Sequence, residues 1–172
     1  MGRWNDINMN RKDKTKFLSR LLEKDKLNRA GHYWAKEVTM DYFSEHPTRV
    51  DYLEFIPAGQ RTVSDIEKGS FACWEIKSCK EDFHSGFGQN FFAEKNYFVM
   101  DTYKKVAHEV PHNIGVYVSI PIESDKLKEF EHPTPLSNDL KAWKLVEFQA
   151  AYSIGRKRSM NELLFCMLRA GH

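Results

Sequence analysis

Apolar residues recur along the chain with two different periods, and the change of period marks out its elements. Phe17, Leu18, Leu21 and Leu22 follow the i, i+3, i+4 rule inside an otherwise Lys- and Arg-rich polar stretch, so a short helix is expected there. A basic arm without fixed structure is the competing reading of residues 1–28, which are set apart as an N-terminal extension. From Arg29 to Glu45, the residues Tyr33, Trp34, Val38, Met40, Tyr42 and Phe43 recur at roughly helical spacing, predicting a second helix that stops at His46-Pro47. Arg49 to Ile56 reads as a strand closed by Pro57-Ala58-Gly59, and Phe71 to Lys77 is the clearest strand of all.

Beyond Gly86 and Gly88, the group Phe91-Phe92-Ala93 suggests a helix. Tyr97 to Met100 suggests a short buried strand, and a helical turn is expected through Tyr103 to His108. Asn113 to Ile120 and Lys144 to Gln149 supply two further strands, separated by a charged, proline-bearing loop over residues 123–139. Ser159-Met160-Asn161-Glu162 has a capping-box pattern and opens a closing helix through Leu163, Leu164, Met167 and Leu168. Such an order favours an α/β fold: a central mixed sheet with helices on its faces, forming one domain over residues 29–172.

Composition narrows the class. The chain has 172 residues, enough for one sizeable core, and its 12 Phe, 7 Tyr and 4 Trp argue against a disordered polymer. Its formal charge of +2 does not suit indiscriminate nucleic-acid coating, although a local basic surface beside an acidic centre is compatible with it. Three scattered cysteines, Cys73, Cys79 and Cys166, suggest a reducing compartment. Neither a signal peptide nor a membrane-spanning stretch is apparent, so the expected address is cytoplasmic.

The candidate chemistry lies in Trp74-Glu75-Ile76-Lys77. On a strand Glu75 and Lys77 share one face at about 7 Å, while Ile76 points to the other. The apolar lead-in Phe71-Ala72-Cys73-Trp74 makes this strand interior, and charges at the end of an interior strand require a partner, a metal or solvent. Asp51 lies on the preceding strand; if the two strands pair, its carboxylate and that of Glu75 converge on one hard cation. Two carboxylates, Mg²⁺ and a phosphate oxygen form a set suited to phosphodiester hydrolysis, with Lys77 assisting the attacking water or balancing charge.

These residues carry a resemblance. Arg49-Val50-Asp51, then Trp74-Glu75-Ile76-Lys77-Ser78 and Glu81-Asp82-Phe83, resembles the PD-(D/E)XK nuclease superfamily, and in wording its MmcB-like DNA-repair branch. The match covers roughly residues 30–120 and departs in having Val50 where proline often precedes the aspartate. It implies a restriction-endonuclease-like αβββαβ core and Mg²⁺ as cofactor, with Mn²⁺ as substitute. Asp51 and Glu75 would be ligands, helped by the Ile76 carbonyl, and Lys77 would assist the nucleophile. It further implies DNA as partner and allows a homodimer. An acidic residue of the first core helix often completes such sites, and Glu37 is the matching candidate, with Asp41 and Glu45 on the same expected helix. Gln89 and Tyr97 are candidates for a downstream pair seen in some relatives.

Other features carry less. Asp82 suits a cap or turn. Lys80 and His84 lie near enough to touch a phosphate, and Arg156-Lys157-Arg158, just before a helix, is a candidate phosphate grip. Each is at least as well read as solvated surface. Cys73, Cys79 and His84 match no zinc pattern, and Gly86-Phe87-Gly88 lacks the context of a phosphate loop. A catalytically silent nuclease fold that binds nucleic acid or a protein partner is the alternative function, and a structural protein of a phage or mobile element is a third.

Overall fold

The computed structural model describes residues 9–101 and 106–171. The expected turn from Tyr103 begins outside that range, as does the N-terminus Met1 to Asp6. Six strands form one mixed sheet in the order of the chain: β1 (Tyr33–Met40), β2 (Thr48–Ile56), β3 (Ser70–Lys77), β4 (Lys95–Met100), β5 (Gly115–Pro121) and β6 (Trp143–Gln149). The first three are antiparallel, β3, β4 and β5 run parallel, and β6 returns antiparallel. Helices α1 (Arg11–Leu22), α2 (Val63–Glu67), α3 (Lys80–His84), α4 (Lys126–Glu131) and α5 (Met160–Ala170) connect and cover it. This is the mixed α/β architecture expected from the element order.

Alternation along the strands sends side chains to two faces. Ala72, Trp74 and Ile76 of β3, with Tyr52, Tyr97 and Val99 from its neighbours, meet Phe17, Leu18, Leu21 and Leu22 of α1. Phe71 and Cys73 of β3, with Leu53 and Phe55, face the other way and meet Leu163, Cys166 and Met167 of α5. Asn10 caps α1, its side chain accepting from the Asp13 amide, and Ser159 caps α5 through the Glu162 amide.

Four expectations need correction. The helix over residues 11–22 is no extension: its four apolar residues are buried in the main core, and a π-helical turn over Glu23–Leu27 prolongs it. The helix expected from Arg29 to Glu45 is strand β1. Its buried positions Ala35 and Val38 are three apart, as are their β2 counterparts Val50 and Leu53, because the ribbon shifts phase across Glu37 and Asp51. Glu37 takes a positive φ of 49° there, a conformation that strains a side-chain-bearing residue. The helix expected at Phe91-Phe92-Ala93 does not form, since its backbone is engaged elsewhere. The Phe92 carbonyl accepts from the Lys157 amide, the Glu94 carbonyl from Ile154, and the Asn96 amide side chain satisfies both groups of Ala93. The expected loop over 123–139 contains α4, capped by Asp125.

Candidate active site

The β2–β3 ladder ends at the pair Tyr52 and Trp74, so the next residues, Asp51 and Glu75, stand opposite each other where the two strands part. Backbone pairing gives way there to a side chain: the Ile76 amide donates to Asp51 Oδ2 at 2.8 Å. Because β3 is interior, between β2 and β4, its polar end is enclosed. Glu75 is 2 % exposed and Lys77 4 %. The Lys77 ammonium donates to the Phe87 carbonyl at 2.6 Å, and Glu75 Oε1 is buried with no hydrogen-bond partner.

The lid over this pair is the Gly86-Phe87-Gly88 turn. Both glycines have positive φ, 72° and 65°, and a Cβ on Gly88 would fall 2.3 Å from Glu75 Oε2 and 3.2 Å from Lys77 Nζ. Only glycine lets the backbone approach a carboxylate so closely. The residue between them, Phe87, is 81 % exposed. Gly88 was missed as a site residue; a glycine ten or so positions after a charged strand end carries little signal before the fold is known.

Electrostatics follow from this enclosure. Burial, and then the negative charge of Asp51, push the Glu75 carboxyl up to about 9. Burial also raises Asp51, against the opposing pull of the Ile76 amide and the Lys77 charge. Two carboxyls that share a desolvated space with one ammonium favour a neutralising proton or a cation. Among the described residues no three His, Cys, Asp or Glu side chains group to hold a metal. The donors present are two carboxylates and the Ile76 main chain, which suits Mg²⁺, an ion that retains water and takes one or two carboxylates, better than an all-protein cage. The orphaned Glu75 oxygen fits the same reading.

The remaining candidates lie at varying distances from this pair. Glu37 lies on β1, not on a helix, level with Asp51 and lining the same cavity, and its exposed side chain faces Arg49 at 3.8 Å. The core helix beside Asp51 is α1, which presents Lys16, Ser19 and Arg20 instead of an acid. Asp41 pairs with Arg158, and Glu45 is exposed in the β1–β2 connection. Lys80 is exposed at the start of α3, beside a small cleft that Lys77 also lines. Gln89 donates to the Phe83 carbonyl at 3.1 Å, tying down the lid's exit. Tyr97 stacks on Trp74 in the α1-side core. Asp82, in the first turn of α3, accepts from the Ser78 amide and hydroxyl and also pairs with Arg11, a structural role at the helix start.

Arg156 and Arg158 are pins within the fold. Arg156 pairs with Glu94 at 2.8 Å over the Phe71 ring, and Arg158 joins Asp41 to Glu162. Lys157 and Arg158 both line a cavity of about 740 Å³, shared with His84 and Gln89 on the flank of α3.

No protein-family model matches the chain, and no curated protein is similar to it by sequence. Among solved structures it is similar to a protein of unknown function from Silicibacter pomeroyi, with a TM-score of 0.54 at 14 % identity, over 91 % of this chain and 82 % of that one. At this identity the likeness speaks for the fold alone. No helix among the described residues is long and apolar enough to cross a membrane.

Proposed function

We propose that the chain is a metal-dependent phosphodiester hydrolase acting on DNA, a nuclease of the PD-(D/E)XK kind. The observation that carries this reading is the convergence of Asp51 and Glu75 where β2 and β3 part, with Lys77 on the same strand end and one Glu75 oxygen left unpartnered. Asp51, Glu75 and the Ile76 carbonyl would hold Mg²⁺ or Mn²⁺. Bound there, the cation supplies Lewis-acid activation of water and charge neutralisation at the phosphate.

The chain's own residues do the rest. The Ile76 amide fixes the Asp51 carboxylate, and an interior strand fixes Glu75. Lys77, held by the Phe87 carbonyl, places a positive charge beside both carboxylates and orients the attacking water or balances the phosphorane. The Gly88 backbone packs directly against the Glu75 carboxylate. The free cysteines suit a reducing, cytoplasmic setting.

The test is cleavage of single-stranded, duplex and branched DNA, and of RNA, by the purified chain with Mg²⁺ or Mn²⁺. Lys77→Ala is expected to abolish cutting while circular dichroism stays that of the parent. Full activity in that variant would sink the mechanism. One observation favours a silent binding module instead: Glu75 and Lys77 are almost fully buried. Mn²⁺ binding that vanishes in Asp51→Asn and Glu75→Gln speaks for the enzyme, and its absence in the parent chain speaks for the module.

A further inference from the structure

On the solvent side of Asp51 lies a cavity of about 540 Å³ between α1 and the β1–β2 ribbon. The α1 wall is basic, with Lys16 and Arg20; Lys36 and Glu37 line the ribbon side, and Asp51 and Ile76 the floor. Because Lys36 is paired with Glu23, the positive excess of the cavity rests on Lys16 and Arg20 of the α1 wall.

The pairing of the cations on α1 is uneven. Arg11 pairs with Asp82 and Lys14 with Asp101, both across the helix packing. Lys16 and Arg20 pair with no carboxylate among the described residues. Around them the other charges cancel: Lys36 pairs with Glu23 at 2.5 Å, and Glu37 faces Arg49. Lys16 and Arg20 stand at i and i+4, so two like charges project from one helix face into one cavity. That arrangement is mildly unfavourable by itself and becomes favourable with an anion between them. A guanidinium fork beside an ammonium matches phosphate oxygens, whereas the Thr15 hydroxyl is spent on the Arg11 carbonyl at 3.0 Å.

We propose that this cavity is a subsite for a phosphate of a nucleic-acid strand, adjoining the phosphodiester at Asp51, with Lys16 and Arg20 as its principal contacts. Its place beside a reacting phosphodiester rests on the nuclease reading; its affinity for a phosphate does not. The two residues position substrate and take no part in bond breaking. Phosphate contacts of this kind set register without reading sequence.

The experiment is fluorescence anisotropy of the full chain with a labelled oligonucleotide, single-stranded and duplex, in EDTA and across a salt series. The parent is compared with Lys16→Ala/Arg20→Ala and with Lys12→Ala, which removes a charge from the same helix outside the cavity. The double variant is expected to bind about tenfold more weakly or worse, with a salt slope smaller by about 1 to 2, and Lys12→Ala to change affinity less than about twofold. Lys16→Glu/Arg20→Glu, checked for helix content, should weaken binding further.

Equal affinity of the double variant and Lys12→Ala overturns the subsite, as does a parent that binds no oligonucleotide. Inorganic phosphate that binds the parent while the oligonucleotide does not makes the cavity a free-phosphate site and also overturns the strand assignment. A parent that never cuts with Mg²⁺, yet loses binding in the double variant, keeps the subsite and removes the nuclease reading. A parent that cuts, with a double variant that binds and cuts as well, does the reverse.

Discussion

The Ile76 amide and the Asp51 carboxylate meet at 2.8 Å where the β2–β3 ladder runs out, so one side chain does the work of a missing backbone partner. The same bond leaves the carboxylate aimed along the gap between the strands, with Glu75 opposite. Structural and chemical roles of Asp51 are thereby separable. Asparagine retains an oxygen for the Ile76 amide, whereas alanine leaves that donor without a partner.

Asp51→Asn is accordingly expected to keep a urea midpoint close to the parent's and to lose Mn²⁺ binding and cleavage. Asp51→Ala should lose both and also about 1–3 kcal/mol of stability, the cost of an unsatisfied buried donor. Equal stability of the two variants would show that the Ile76 bond contributes nothing.

Acidity offers a second check. The Glu75 carboxyl sits near 4.5 in an unfolded chain and is pushed up to about 9 in the fold by burial and by Asp51. A raised folded value means the folded state holds its proton longer. This stabilisation is complete below about pH 4.5 and is lost as pH rises toward about 9; Asp51 contributes in the same direction. In EDTA the urea midpoint should therefore fall across that window, and Glu75→Gln should flatten the fall. Mg²⁺ should raise the midpoint more at the alkaline end, where the carboxylates are charged. A midpoint that climbs with pH contradicts the assignment.

The two glycines of the lid separate strain from contact. Both have positive φ, but a Cβ on Gly86 meets nothing within 4 Å, whereas one on Gly88 collides with Glu75 and approaches Lys77. Gly86→Ala should cost about 1–2 kcal/mol, the backbone penalty alone. Gly88→Ala should cost more by denaturant melt and should cut cleavage sharply, because Glu75 has to move. Indistinguishable variants would remove the lid from the site.

Glu37 tests the reading of the first core helix. Exposed on β1 and facing Arg49, it should tolerate Glu37→Ala with cleavage within about twofold of the parent. Glu37→Gly should raise stability by several tenths of a kcal/mol or more, by relieving its positive φ. A large loss of activity in Glu37→Ala would return it to the metal site.

Much of this architecture was legible in the pattern of the chain. Strands β2 to β6 and the closing helix α5 have clear apolar periods and turn residues at their ends, and the Asp51, Glu75, Lys77 set needed only the pairing of two strands that were each recognisable. What failed has a local cause. Ala35 and Val38 are three apart in a strand because the ribbon changes phase at Glu37, and three apart is the signature of a helix. That error put Glu37 on a helix instead of β1 and left α1 outside the core. The misread helix at Phe91-Phe92-Ala93 reflects long-range bonds to Ile154 and Lys157, which no local pattern reports. Arg156 and Arg158 read as a free basic run because their partners, Glu94 and Asp41, lie 62 and 117 residues away.

Helices α1 and α5 cover opposite faces of the sheet from opposite ends of the described chain. During synthesis the α1 face can close early, but Ala35 and Val38 of β1 lack their helical cover until Leu163 to Met167 leave the ribosome. A stop anywhere before residue 163 thus yields a sheet with one naked greasy side, prone to stick to its neighbours. For the same reason a fragment spanning only residues 30–120 lacks both covers, and the site it carries would have no folded platform.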